Sequence, residues 1–206
     1  AEIKIFLEGP YLAGGEMDTS LAEDGVIPLT SPFEADPRVV SAIPDSTVDW
    51  VLVQLRTSKT GNNILSRSCF LRSDGMIVTE TNSRLNVFLD PGDYYLVVTH
   101  RNHLAVMSSS AVTLSTTSTL YDFTTGTGEY EGGDAAELES GVYGMDAGDA
   151  DNNGQVQNND KNDYWKVQVG LAGYKEADFN LNGQVQNDDK NDFWKNNVGK
   201  GTYVQQ

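Results

Sequence analysis

Asp149-Ala150-Asp151-Asn152-Asn153-Gly154-Gln155-Val156-Gln157-Asn158-Asn159-Asp160 recurs 29 residues further on as Asp178-Phe179-Asn180-Leu181-Asn182-Gly183-Gln184-Val185-Gln186-Asn187-Asp188-Asp189. The likeness runs past both ends of the quoted stretch. Gly141 aligns with Gly170, Gly144 with Gly173, Trp165-Lys166 with Trp194-Lys195, and Val169-Gly170 with Val198-Gly199. Self-similarity at a fixed period marks a duplicated structural unit.

Each copy carries oxygen-bearing residues at loop positions 1, 3, 5, 7, 9 and 12 with glycine at 6, the spacing of a 12-residue calcium loop. A large, hard cation takes about six to eight oxygens, and alternate residues of a coiled loop can converge on it. The expected ligands of the first loop are Asp149, Asp151, Asn153, the carbonyl of Gln155, Gln157 through a water, and Asp160. In the second they are Asp178, Asn180, Asn182, the carbonyl of Gln184, Gln186 and Asp189. Two Ca2+ ions are therefore expected. An Asn/Asp-rich turn capping a helix would use the same residue types. Repetition of every position at one period favours the metal.

Loop one offers three carboxylates and loop two only Asp178 and Asp189, since Asp188 stands at the outward position 11. Fewer charges imply weaker binding, and Asp replaces the usual longer Glu at position 12. Affinities of an extracellular module are expected, not those of a cytosolic sensor. Val156 and Val185, at position 8, are expected to pair with each other in a short β-bridge. A helix should follow each loop, because Trp165 and Val169, like Trp194 and Val198, are four apart. Gly170 and Gly199 suit its terminating position. The doublets Tyr164-Trp165 and Phe193-Trp194 read as core. So small a module has little core, so bound metal should supply much of its stability.

Upstream of about residue 124 the chain changes character. Short β-branched and aromatic runs alternate with turns such as Ser73-Asp74-Gly75 and Asp90-Pro91-Gly92-Asp93. Strands are predicted at Ile3–Leu7, Val48–Arg56, Ile64–Leu71, Met76–Thr79, Leu85–Leu89, Tyr94–Thr99, Leu104–Met107, Ala111–Leu114 and Leu120–Phe123. Val51, Val53 and Leu55 form a clean apolar face, opposite a mixed face of Trp50, Leu52, Gln54 and Arg56. The expected fold class is mixed: an N-terminal antiparallel β-sandwich, Ig- or fibronectin-like, plus a small α-helical module with two EF-hand-type loops. Its parts are a sandwich over 1–124, a linker over 125–140 and the calcium module over 141–206. The Gly126–Ser140 stretch is also long enough to let the module dock on the sandwich of the same chain.

The net charge of −16 over 206 residues disfavours nucleic acid or an anionic membrane as partner. No apolar run reaches the roughly 20 residues that span a bilayer. Cys69, the only cysteine, excludes an intrachain disulfide and reads as a small buried hydrophobe. His100-Arg101-Asn102-His103 holds both histidines, and no neighbouring carboxylate is placed by sequence to orient either ring. It reads as a polar turn between strands. With no nucleophile elbow, phosphate loop or HExxH motif, a non-enzyme is expected.

The duplicated D-x-[DN]-x-[DN]-G-x-[IV]-x-x-x-D loop, each copy followed by one helix, resembles the dockerin family over about residues 141–200. That resemblance implies a secreted or cell-surface protein tethered through a cohesin-like partner. It places recognition around loop positions 10 and 11, here Asn158, Asn159, Asn187 and Asp188, with Lys161 and Lys190 nearby. The usual small hydroxyl residues are absent there, which favours intramolecular docking as the alternative. The Pro91-Gly92-Asp93-Tyr94-Tyr95 turn is similar to that of fibronectin-like or carboxypeptidase-regulatory-like sandwiches. The function expected is a calcium-binding tethering module. The alternative is a carbohydrate-binding sandwich of a polysaccharide-degrading system, with Trp50, Tyr94 or Tyr95 stacking on glycan. A hydrolase with two facing carboxylates is the third reading.

Overall fold

Thr47–Arg56 organises the molecule, and all ten of its residues are buried. In this computed structural model, which describes residues 1–116 and 120–205, that strand lies at the centre of a six-stranded antiparallel sheet. Asn63–Arg72 pairs along one side, with Trp50 opposite Phe70 and Val53 opposite Arg67. Gly92–Thr99 pairs along the other, with Val53 opposite Val98 and Leu55 opposite Leu96. Ile77–Val78 extends the first edge, while Val106–Met107 and Val112–Leu114 both pair with Gly92–Thr99. Val51, Val53 and Leu55 enter the main core with Ile3, Ile5 and Leu71, as their alternation dictates.

The expected sandwich-plus-helical-module class does not hold. Strand makes up 33% of the chain and helix 17%, and the remaining sheets are small. Each of those others has two strands: Glu2–Lys4 with Leu120–Asp122 (parallel), Tyr11–Leu12 with Glu16–Met17, and Ala136–Glu139 with Val142–Gly144. The mixed face of the central strand is covered by irregular chain instead of a second large sheet. Trp50 Nε1 donates to Pro28 O at 2.8 Å, the Ser31 and Ser68 hydroxyls meet at 2.7 Å, and Arg56 Nη1 reaches Gln205 O at 2.8 Å. Pro28, Pro32 and Pro37 give the covering segment no N–H at those positions, so a continuous ladder cannot form there. Leu85–Leu89 is likewise not a strand; Arg84 makes only an isolated bridge to Val78.

The helical module fails for a different reason. The end of each loop opens a short helix: residues 158–159 or 187–188, then a π-turn, Asp160–Trp165 or Asp189–Trp194, and last Lys166–Gln168 or Lys195–Asn197. Gly170 (φ 88°) and Gly199 (φ 98°) then stop it. So brief a helix cannot form a layer of its own. The Gly126–Ser140 stretch is packed in part: Tyr130 is buried 5.1 Å from the ring of Phe123.

Candidate metal centres and their junction

Both loops are drawn into the same cage of backbone hydrogen bonds. In the first, Asp149 Oδ1 accepts from Asn153 N–H (3.1 Å) and Oδ2 from Gly154 N–H (3.0 Å). Asp160 Oδ1 accepts from Ala150 N–H (2.8 Å) and Oδ2 from Gln157 N–H (2.6 Å). In the second, Asp178 accepts from Asn182 N–H (3.2 Å) and Gly183 N–H (2.9 Å). Asp189 accepts from Phe179 N–H (2.7 Å) and Gln186 N–H (2.7 Å). Positions 3 and 5 repeat as well: Asp151 and Asn180 each accept from the N–H of position 5, whose own side-chain oxygen takes the N–H of position 7.

The curl depends on two left-handed residues per loop. Gly154 and Gly183 have φ of 84° and 83°, and position 4 is also left-handed, with Asn152 at 53° and Leu181 at 59°. Asn tolerates that conformation, but leucine does so at a cost. Leu181 is 1% exposed and belongs to the main core, so burial of its side chain offsets the backbone strain. The second loop is thereby keyed into the body of the protein, while Asn152 faces solvent.

Carboxylate oxygens of Asp149, Asp151 and Asp160 lie within 4.8 Å of one another. Burial pushes Asp149 up to about 7, and the charges of Asp160 and Asp151 add to the shift against the Gly154 N–H. Asp178 is raised to about 7 by burial despite Arg101, and Asp189 to about 6 by burial against its N–H bonds. Oxygen-only donors, crowded and partly desolvated, fit a hard cation. Asn153, Asn180 and Asn182 stand in the same cage in place of further carboxylates. The side chains of Gln155 and Gln157 bond to each other at 2.8 Å, and those of Gln184 and Gln186 at 3.4 Å.

The two units exchange their supports. Val156 and Val185 do not pair with each other as expected. Val156 exchanges hydrogen bonds with Gly199 and Lys200, and Val185 with Gly170 and Leu171. Each loop is thus paired with the chain that follows the other unit's helix. Trp165 Nε1 donates to Gln186 O and Trp194 Nε1 to Gln157 O, both at 2.7 Å. Lys190 lies 4.3 Å over the Trp165 ring and Lys161 4.7 Å over that of Trp194. Both tryptophans join a shared cluster with Val156, Phe179, Val185 and, from the sheet region, Leu104.

The connection from the Gly92–Thr99 strand to Val106–Met107 holds this pair against the sheet. It is the His100–His103 stretch, and it is interior. His100, Asn102 and His103 are 0% exposed. Asp49, absent from the sequence reading, orients His100: its Oδ2 lies 3.2 Å from His100 Nε2 and accepts from Arg101 Nε at 2.8 Å. Tyr174, between the two loops, donates its hydroxyl to Asp49 Oδ1 at 2.6 Å. Arg101 stacks 4.2 Å over the Tyr174 ring and bonds Lys175 O. On the other side, Glu8 Oε2 accepts from Ala147 N–H (2.9 Å) and Asn197 Nδ2 (2.5 Å). A Cβ on Gly9 would fall 1.7 Å from Phe179 O, so only glycine permits this approach to the second loop.

The histidine pair is wired for neutrality. Gly9 N–H donates to His103 Nε2 (3.3 Å), which leaves the proton on Nδ1, facing Asn102 Oδ1 (2.9 Å) and His100 Nδ1 (3.1 Å). A proton on His100 Nδ1 would set two N–H groups head to head. Burial accordingly holds His103 well below its usual range, with the charges of His100 and Arg101 adding to the shift. An unfolded histidine takes up a proton near pH 6.5 while the folded one does not, so this contribution is complete above 6.5 and is lost as pH falls below it. Urea unfolding at pH 7.5 and 5.5 should show the wild type losing about 1 kcal/mol more than His103→Gln. Equal losses would mean that His103 is protonated in place.

No family model, curated protein or solved structure matches this chain. No helix among the described residues is long and apolar enough to cross a membrane.

Proposed function

We propose that this chain is a non-catalytic, calcium-binding tethering module of an extracellular or cell-surface protein, its paired loops dockerin-like in ligand spacing. The observation that carries the reading is the matching cage around the position 1 and position 12 carboxylates of both loops. Asp149, Asp151, Asn153, Gln155, Gln157 and Asp160 would hold one ion, and Asp178, Asn180, Asn182, Gln184, Gln186 and Asp189 the other. Bound calcium would supply the positive charge that lets these carboxylates remain ionised where burial disfavours it.

A cohesin-like protein remains the partner proposed, with a reduced contact set. Lys161 and Lys190 cover tryptophans, and Asn159 and Asp188 turn inward to Asp151 and Asn180. Asn158 and Asn187 stay exposed, Asn187 in a shallow cleft with the exposed Val169. The glycan-binding alternative loses Trp50 and Tyr94, both buried. What favours it is a cleft of about 380 Å³ beside the first loop, lined by Phe33, Tyr164, Tyr174 and Arg101, whose Nη2 has no hydrogen-bond partner among the described residues.

Calorimetric titration with calcium tests the main reading. Two ions should bind per chain, and Asp149→Ala should bind one, because the second loop keeps every ligand. A wild type that takes up no calcium at millimolar concentration refutes it.

A further inference from the structure

We propose that Asn102, which ligates no ion, clamps the first residues of both loops and thereby couples the two calcium sites in a positive sense. The inference rests on the calcium reading above and concerns how its two sites are regulated.

Asn102 is 0% exposed and stands where the two units meet. Its carbonyl accepts from Gly148 N–H (3.1 Å) and Asp149 N–H (3.2 Å), the entry to the first loop. Its side-chain Nδ2 donates to Asp178 O (2.7 Å) and Glu176 O (2.9 Å), the entry to the second. Its Oδ1 faces His103 Nδ1 (2.9 Å), and its flanks are tied to the sheet through Arg101 and Asp49. One residue thus fixes the position 1 residue of one loop through its main chain and that of the other through its side chain. Both contacts need Asn102 in a single place.

Coupling follows from shared ordering. A loop that closes on its ion fixes the position 1 backbone, and that backbone fixes Asn102. The second loop then closes against a clamp already in position, at a smaller entropic cost. Coupling must be reciprocal, and values of about 5- to 150-fold are typical.

The test measures first-loop affinity by calorimetry on the full chain, with the Gly154 amide resonance reporting that loop's occupancy. Asp178→Ala empties the second loop but keeps its main-chain acceptor for Asn102. It should weaken the first loop about fivefold or more. In an Asn102→Ala background, the further Asp178→Ala change should alter first-loop affinity less than twofold. An unchanged first loop in Asp178→Ala alone overturns the coupling and leaves the calcium reading intact. Coupling that persists without the Asn102 side chain overturns the role of the clamp. Absence of calcium uptake by the wild type removes both. Should Asn102→Ala fail to fold, Asp178→Ala still decides whether the sites are coupled, and Asn102→Asp, which keeps the Oδ1 acceptor and lacks the Nδ2 donor, decides the clamp.

Discussion

Chelation of calcium is expected to lower the melting temperature of this protein by roughly 10–20 °C. The magnitude follows from mass action. A site held at about 100 times its dissociation constant stabilises the folded state by about 2.7 kcal/mol, and two such sites by about 5 kcal/mol. A chain of this size loses roughly 2–4 °C per kcal/mol. The unfolded chain has no assembled site: Asp149 and Asp160 are eleven residues apart in sequence, and their oxygens converge only when the Gly154 curl closes. Without calcium the same carboxylates are a burden, since Asp149 and Asp178 are each raised to about 7 by burial. Scanning calorimetry with millimolar calcium and then with excess chelator gives the measurement. The loops are tied to the sheet through Leu104, Asn102 and Glu8, so the transition should move as a whole. A shift below about 2 °C would mean that the cage closes without an ion.

The loops were legible in the sequence because their logic is local. The spacing of oxygen-bearing residues within twelve positions and a glycine at position 6 are properties of one short stretch, and duplication made them hard to miss. The central strand was legible for the same reason, with period-2 alternation placing Val51, Val53 and Leu55 on one apolar face. What could not be read was set by partners distant in the chain. Asp49 neutralises Arg101 and orients His100, 51 residues away. The prolines between residues 28 and 37 were visible, but not that they would cover one face of the sheet in place of a second sheet. The exchange of supports between the two loops was equally hidden, because pairing Val156 with Val185 or with the opposite unit satisfies the same backbone groups. A dense polar run between two apolar strands, His100-Arg101-Asn102-His103, was the one local sign of the junction. Its burial depends on residues 146–149 and 174–178 folding over it.

Removing the Asp49 carboxylate should destabilise the protein by about 3–5 kcal/mol, the usual result of stripping one partner from a buried ion pair. All of its acceptor capacity is in use: Oδ1 takes the Trp50 N–H (2.7 Å) and the Tyr174 hydroxyl (2.6 Å), and Oδ2 takes Arg101 Nε and faces His100 Nε2. Burial alone would raise its pKa. The Arg101 charge, with the hydrogen bonds of His100 and Tyr174, outweighs burial and holds the carboxyl at about 2. A carboxyl depressed in the folded state contributes stability above its unfolded value near 3.8, and that contribution is lost as pH falls through about 2. Asp49→Ala leaves the Arg101 guanidinium buried without its counterion, so the cost exceeds the worth of the pair itself. Asp49→Asn keeps the shape and one acceptor but not the charge, and should recover less than half of the loss. Replacing both partners, as Asp49→Leu with Arg101→Met, removes the stranded charge and should recover more than either single change. Urea unfolding of the four chains in saturating calcium separates these cases. If Asp49→Ala costs less than about 1 kcal/mol, the junction is not held by this ion pair, and the Leu104 cluster must carry the attachment of the two loops to the sheet.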